Sequence, residues 1–373
     1  MVETRNTLRI VGFEPYDDGS HRAVRESISR HSKHDWTWLT RPGRAWKWRM
    51  RLAAPEMVDQ ALEGGVFDRP VDAIFATSLL GLSDLRGLLA KVGIASVPFV
   101  LYLHENQAAY PEGFTTTESK DRDLHFALTN LTGILSADLA IFNSEWNRRS
   151  FLAGIDRILK LAPDLTLNRV RERIEAASIV IWPPVEPYEL AEAEAASPRV
   201  FHNSVKVVWP HRWEHDKGPD ELLEIAEQFT ESHNLRWTIL GERFREVPAA
   251  LKTFESRFAA HIDHIGFIED HDEYRRHLAS CDWVLSTAKH EFFGIAVVEA
   301  MLAGCLPWLP DRLSYPELLP EVIRGGRGVS PMNPPDDPEA LHKAIQTHLQ
   351  PALAPNAIAS LDQAIAQLAA SHL

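Results

Sequence analysis

Lys289-His-Glu-Phe-Phe-Gly-Ile-Ala-Val-Val-Glu-Ala-Met-Leu-Ala-Gly-Cys305 is the stretch from which the fold can be read. Just before it, Asp282-Trp-Val-Leu-Ser-Thr-Ala288 has the short apolar run of a buried strand; inside it, Ile295 to Leu302 is apolar on nearly every face, as a helix packed within a large domain would be. Glu299 is out of place on such a helix, because a lone buried carboxylate is costly unless something polar partners it. A polar ligand beside Glu299 is therefore expected. In Phe292-Phe293-Gly294 the glycine lets backbone approach a ligand, and the helix start behind it can hold an anion on free N–H groups. A phosphorylated sugar suits that combination. From the residues alone, Glu299 could equally cap a buried polar network and Glu291 sit in a solvated loop.

A chain of 373 residues exceeds what one core usually serves and predicts two domains. No charged and apolar leader precedes the first strand, and the longest apolar stretch is interrupted by Glu299, glycines and Pro307. The expectation is a cytoplasmic protein with no membrane span, whose two cysteines, Cys281 and Cys305, are buried thiols. The formal net charge of −13 lacks the broad basic field of most nucleic-acid binders, so RNA binding would need a local basic patch.

Leu8 to Phe13 reads as a first strand, Glu14 to His21 as a turn, and the residues from Arg22 as a helix, which is the opening of a βαβ unit. Val71–Ala76, Val97–Leu103, Leu139–Phe142 and Ile179–Val185 read as further parallel strands. Their polar carboxyl ends, His104-Glu105-Asn106-Gln107 and Asn143-Ser144, lie where ligands collect in such sheets. Glu186 to Arg199 carries no sheet pattern. A second alternation follows: a strand at Lys206–Trp209, a helix at Glu221–Thr230, strands at Trp237–Leu240 and His264–Gly266, a helix opened by Asp270 or Asp272, and the strand at Trp283. The expected architecture is α/β, two Rossmann-like domains facing a cleft. The expected divisions are 1–186, a linker 187–204, 205–350, and an Ala-rich helical tail 351–373 folding back on the first half.

Trp209-Pro-His-Arg-Trp-Glu-His-Asp-Lys-Gly218 follows a strand and can aim Arg212 and Lys217 at a diphosphate, where fixed cations stabilise the charge that grows as a sugar–phosphate bond breaks. Its bland counterpart is a surface ion-pair loop with Glu214 and Asp216. His211 and His215 lack the order and the third ligand of a zinc site. Asp121-Arg-Asp123 and Asp270-His-Asp272 match a metal-holding D-x-D pattern but read better as helix caps, so no required metal is expected. Arg41-Pro-Gly-Arg-Ala-Trp-Lys-Trp-Arg-Met-Arg51 is the most basic stretch, preceded by Trp36 and Trp38. Cations with interleaved indoles can grip unpaired nucleotides, while the alternative is a solvated loop whose tryptophans pack on the fold.

Glu291 and Glu299, with seven residues between them, resemble the E-x7-E motif of family-four retaining glycosyltransferases of the GT-B architecture. Glu14-Pro-Tyr-Asp-Asp-Gly-Ser-His21, Trp46-Lys-Trp-Arg49, Leu103-His-Glu-Asn-Gln107 with Tyr110-Pro111, Phe142-Asn-Ser144, WPHRWEHDK at 209–217 and STAKHEFFG at 286–294 together resemble the tRNA-queuosine α-mannosyltransferase family. The resemblance departs at Asp17-Asp18, where a glycine pair is more usual. It implies a retaining hexosyltransferase moving mannose from GDP-mannose to queuosine in a tRNA anticodon, with no cofactor. It also implies that Glu291 holds the sugar hydroxyls, Glu299 the ribose, Arg212 and Lys217 the diphosphate, and Phe293-Gly294 a phosphate, with Gly266 lining the base pocket. Gly19, Ser20 and His21 would close over the diphosphate. His104 and Glu105 would face the reacting sugar and acceptor, with Asn106, Trp46, Lys47, Trp48 and Arg49 on the tRNA side.

Overall fold

The computed structural model describes residues 7–94, 96–109, 117–161, 164, 167–187, 204–243, 246–324 and 328–372, with side chains from residue 124 onward in the segment that begins at 117. Tyr110, Pro111, the Asp121 and Asp123 side chains and most of the linker 187–204 fall outside that description. The chain divides into two compact units, one of residues 1–184 with 354–373 and one of residues 185–353.

Unit one alternates β1 (Arg9–Asp17), α1 (Gly19–His31), β2 (Asp35–Pro42), α2 (Trp46–Glu63), β3 (Ala73–Thr77), α3 (Leu82–Lys91), β4 (Phe99–Leu103), α4 (Thr117–Ser136), β5 (Leu139–Phe142), α5 (Glu145–Leu159), α6 (Val170–Ala176) and β6 (Ser178–Val180). Its six strands pair in parallel in the order β2-β1-β3-β4-β5-β6. Strands β3 and β4 are buried throughout, as expected for a sheet covered on both faces. One face packs Phe13, Ile74, Leu101 and Phe142 against helices; the other packs Ile10, Phe75 and Tyr102.

Unit two alternates β7 (Val205–Pro210), α7 (Pro219–Phe229), β8 (Leu235–Leu240), α8 (Ala249–Arg257), β9 (Ile262–Gly266), α9 (His271–Ala279), β10 (Trp283–Leu285), α10 (Ile295–Leu302) and β11 (Leu306–Trp308), then α11 (Tyr315–Leu318) and α12 (Pro338–His348). The parallel order is β11-β10-β7-β8-β9. The last helix, α13 (Ala354–Ser371), belongs to unit one, where Ile358, Leu361 and Ile365 join the core of Ile10, Val24 and Ile28. Its Asp362 is 3% exposed and accepts from Ser32 Oγ at 2.6 Å and the Lys33 N–H at 2.9 Å.

Three local readings change. Strand β1 runs on to Asp17 because β2 stays paired with it as far as Pro42, so the turn shrinks to Asp18. Trp36 and Trp38 belong to β2, stacked 4.9 Å apart against Phe75; a Cβ on Gly12 would lie 2.4 Å from the Trp38 ring, so these indoles are packing residues. The strand at Ile179 stops at Val180, since Pro183 and Pro184 can donate no ladder hydrogen bond. Asp270, not Asp272, caps α9, its carboxylate accepting the Glu273 N–H at 2.7 Å. Cys281 and Cys305 are buried thiols outside any disulfide, and among the described residues no helix is long and apolar enough to cross a membrane.

Candidate active site

In unit two, β10 lies beside β7, so the turns leaving their carboxyl ends meet. The Lys289 and His290 N–H groups donate to Asp216 O at 2.8 and 3.1 Å. Thr287 Oγ1 donates to Lys217 O and accepts from Trp209 Nε1, both at 2.9 Å. The contact requires glycine at 218, where φ is +68° and a Cβ would lie 2.0 Å from Thr287 O. Arg312 anchors the second turn from behind, donating to the carbonyls of Thr287 and Ala288 at 2.9 Å each and to Glu221 at 2.7 Å.

This frame buries Lys217 to 8% exposure, with Nζ 3.0 Å from His290 O, 3.3 Å from Glu291 and 3.3 Å from Asp216. Burial works against the ammonium, but Glu291 and Asp216 outweigh it and raise its pKa. Burial likewise opposes the Glu291 carboxylate, yet Lys217 holds its pKa down at about 2. His211 is pushed down to about 3 by burial and then by Lys217, so it is a neutral ring. Its Nε2 sits 2.9 Å from Ser286 Oγ, which in turn lies 2.6 Å from the Tyr315 hydroxyl. The three hydrogens of Lys217 thus face three protein acceptors, and a diphosphate would displace one of them. Arg212 is outside this buried set: its side chain is 59% exposed and 3.1 Å from Glu214.

The turn into α10 bends at Gly294, where φ is +97°, with Phe293 O held by Ser314 Oγ at 2.8 Å. Phe293 is 2% exposed, so its ring is a packing residue. Glu299 is half-buried on α10 and accepts from the Tyr274 hydroxyl at 3.2 Å; burial raises its pKa to about 7. Gly266 ends β9 with φ +132° and open space where a Cβ would stand, and Phe267 beside it is 66% exposed. Tyr274, Ser286, Arg312 and Tyr315 escape sequence reading because none breaks a local pattern.

In unit one Glu14, within β1, and the residues just after β3 and β4, Ser78, His104 and Glu105, collect around His21. His21 Nδ1 lies 3.1 Å from Glu14 Oε1, and Nε2 lies 3.3 Å from Glu105 Oε2. Both ring nitrogens are thus taken up inside the unit, and His21 is 5% exposed, so it does not offer itself to a diphosphate as expected. Gly19 and Ser20 are exposed at the start of α1. Asp17 pairs with Arg25 at 2.7 Å, and the exposed Asp18 accepts the Gly19 N–H at 2.9 Å. Glu14 carried a legible signal akin to that of Glu299: an acid set directly against an apolar run, here Ile10 to Phe13.

Asn106 is corrected from acceptor ligand to scaffold. It is 0% exposed; its amide donates to Asn147 O, Asn147 Oδ1 and Ser150 Oγ, and its oxygen accepts the Ala109 N–H at 2.8 Å. The basic stretch is a helix, not a loop, from Trp46 onward. Trp46 packs on Phe126 with ring centroids 5.1 Å apart, Lys47 is exposed and reaches over both rings, and Arg49 pairs with Glu56 at 3.3 Å. Trp48 is 69% exposed, and Arg44, Lys47, Arg51 and Leu52 are exposed with it. The start of α2 has Ala45 at φ 53° and no side-chain cap. Among the described residues, one group of potential metal ligands lies together, Glu14, His21 and His104, with ligand atoms within 4.8 Å of one another.

Residues 9–185 match the family model described as tRNA-queuosine alpha-mannosyltransferase N-terminal, and residues 191–356 match glycosyl transferases group 1. A tRNA-queuosine alpha-mannosyltransferase of Drosophila melanogaster is 32% identical over 320 residues, 84% of this chain and 82% of the relative. Among solved structures, Anabaena HepE with UDP and glucose is 18% identical with a TM-score of 0.59, over 98% of this chain and 100% of that one. The N-terminal domain of Candida albicans trehalose-6-phosphate phosphatase is 12% identical with a TM-score of 0.66, over 98% and 97%. These likenesses show the fold, α/β of the GT-B class.

Proposed function

The chain belongs to the tRNA-queuosine α-mannosyltransferase family, and we propose that it transfers mannose from GDP-mannose, with retention of configuration, to queuosine in the anticodon of a cytoplasmic tRNA. The observation that carries the donor side is the buried Lys217–Glu291 pair beside the exposed Arg212, at the carboxyl ends of β7 and β10. Glu291, kept ionised, accepts hydrogen bonds from the sugar hydroxyls. Lys217 and Arg212 hold the diphosphate and stabilise the charge it gains as the glycosidic bond breaks. Glu299 accepts from the ribose hydroxyls, Gly266 leaves room for the base, and the Gly294 backbone approaches a phosphate. Glu291 and Glu299 are read as binding groups rather than a nucleophile and acid pair. The charge stabilisation comes from side chains, and no divalent metal is required.

The tRNA is held by unit one through the exposed face of α2. Trp48 offers an indole to an unpaired base, and Arg44, Lys47 and Arg51 offer cations to phosphates. Arg49 serves instead to brace that face through Glu56. The test is incubation of the purified chain with GDP-mannose and queuosine-containing tRNA without added metal, followed by mass analysis of the digested nucleosides. A gain of one hexose on queuosine is expected. No gain with GDP-mannose but a gain with another nucleotide sugar would correct the donor, and no gain with any would defeat the acceptor assignment.

A further inference from the structure

An acid, a base and a second acid form a continuous string from the core of unit one toward its surface. Glu14 is 0% exposed; its Oε1 accepts the Tyr16 N–H at 2.8 Å, and its two oxygens stand 3.1 and 3.2 Å from His21 Nδ1. On the other side of the ring, Nε2 faces Glu105 Oε2 at 3.3 Å, while Ser78 Oγ donates to Glu105 Oε1 at 3.0 Å. As an imidazolium, the form that Glu14 and Glu105 favour, His21 donates from both ring nitrogens to the two carboxylates. His104 stacks on it with centroids 3.8 Å apart and planes at 26°. Two stacked cations would repel. Burial, and then the His21 charge, drive the His104 pKa well below its ordinary value, and its Nε2 has no partner among the described residues. The remaining neighbours are Tyr16, edge-on to His21, and Tyr102, edge-on to His104. Burial opposes the His21 charge, but Glu14 and Glu105 outweigh it and raise its pKa to about 10.

Exposure along the string is uneven. The side chains of Glu14 and His21 are 1% and 6% exposed, and that of Glu105 is 22%. Only the last can meet a ligand. His21 Nε2 and Ser78 Oγ each hold one Glu105 oxygen, so a ligand reaching this side chain meets a carboxylate in a set orientation. A carboxylate so held matches two neighbouring hydroxyls of a vicinal diol, which is what the cyclopentene ring of queuosine presents.

We infer that Glu14 and His21 are positioning residues for Glu105: Glu14 orients the His21 ring, and the ring's Nε2–H fixes Glu105 as a carboxylate that receives the hydroxyls of a vicinal-diol acceptor. The inference deepens the proposed function and rests on its acceptor assignment. It replaces a donor-phosphate role for His21 with an acceptor role exerted through a neighbour.

The test is a double-mutant cycle of His21→Gln and Glu105→Gln in the full chain, with tRNA varied at saturating GDP-mannose and melting temperatures measured in parallel. Each single change should lower kcat/KM for tRNA tenfold or more and leave the KM for GDP-mannose unmoved, and the double variant should be no worse than Glu105→Gln alone. A folded His21→Gln enzyme with normal kcat/KM for tRNA, or effects that simply add, overturns the inference. Should His21→Gln fail to fold because Glu14 loses its partner, Glu14→Gln with His21→Gln supplies a neutral pair and carries the same expectation. Imidazole nitrogen NMR gives a readout that needs no substrate: His21 should remain doubly protonated at pH 8, and a neutral pattern there defeats the ion string. A wild type that transfers no hexose to queuosine would defeat the function and the diol role of Glu105 together, with the nitrogen spectrum still deciding the string.

Discussion

Each unit buries a cation between carboxylates at the carboxyl edge of its sheet, but the two cations differ in kind. Unit two uses Lys217, a flexible ammonium 3.3 Å from both Glu291 and Asp216. Unit one uses His21, a planar ring whose two nitrogens point in fixed directions at Glu14 and Glu105. A lysine stays charged at any working pH and can turn its three hydrogens from protein to ligand, which suits a group that must greet a diphosphate. An imidazolium cannot exchange partners without losing one of its two directions, which suits a group that holds a neighbour still. The same device, a buried charge with two counter-charges, therefore yields a movable contact in one sheet and a rigid one in the other.

The largest effect should come from breaking the lysine arrangement. Lys217→Ala leaves the half-buried Glu291 and Asp216 without their cation; it should cost about 3–5 kcal/mol of stability in urea titrations and lower kcat by about 10²–10³. Glu291→Gln should fold better and still fail in transfer. Normal turnover by either variant removes the donor-site assignment. Next in size is the latch of α13: Asp362→Ala leaves the Ser32 and Lys33 donors unpaired and should cost about 1–3 kcal/mol. Hydrogen exchange should place that loss in unit one, and a loss shared equally by both units would contradict the division of the chain.

The pH responses sharpen the contrast. His21 has its folded pKa raised to about 10 from 6.5, so its contribution to stability is complete below 6.5 and lost as pH rises through about 10. Glu291 is lowered to about 2 from 4.5, so its contribution is present above 4.5 and lost as pH falls through about 2. Alkaline titration from pH 7 to 10 should therefore weaken unit one first, and the Glu14→Gln, His21→Gln variant should flatten that limb. Below pH 6.5 the depressed pKa values of His104 and His211 act in the opposite sense, since the unfolded rings take up protons the folded ones refuse.

Burial raises the pKa of Glu299 to about 7 against the lowering pull of the Tyr274 hydrogen bond, and the proposed ribose contact uses its ionised form. Nucleotide-sugar affinity should rise several-fold between pH 6 and 8 by calorimetry, and Glu299→Gln should bind weakly with no such slope. A wild-type affinity flat across that range would remove Glu299 from the donor site. The smallest effect belongs to the α2 face: each of Lys47→Ala and Arg51→Ala should reduce the salt slope of tRNA binding by about 1, and Trp48→Ala should weaken binding while leaving the slope unchanged. Unaltered slopes for both cation variants would move the tRNA site elsewhere.

Much of this was legible in the chain. Strand, glycine turn and apolar helix recur with local periods, so the α/β class and the turn at Glu291 to Gly294 follow from neighbours in sequence. Glu299 declared itself as an acid on an apolar helix, and Glu14 does the same within β1, directly after the apolar run from Ile10 to Phe13. Exposure was not legible: Asn106, placed on the tRNA side by the resemblance, is scaffold, and of the two readings open for Trp36 and Trp38, RNA grip or packing, the half-buried indoles beside Phe75 take the second. Polar and aromatic side chains serve both purposes, and only the surrounding atoms decide which.

Residue order alone determined the repeating βα pattern, the spacing of Glu291 in the turn from Glu299 on α10, and the glycines that the turns require, since those depend on backbone geometry within a few positions. Which charges meet was decided by tertiary structure. Lys217 finds Glu291 across 74 residues, His21 finds Glu105 across 84, and Ser32 finds Asp362 across 330. Nothing local encodes such pairings; they exist because parallel sheets bring the carboxyl ends of distant strands side by side and because α13 buries its apolar face on the first sheet.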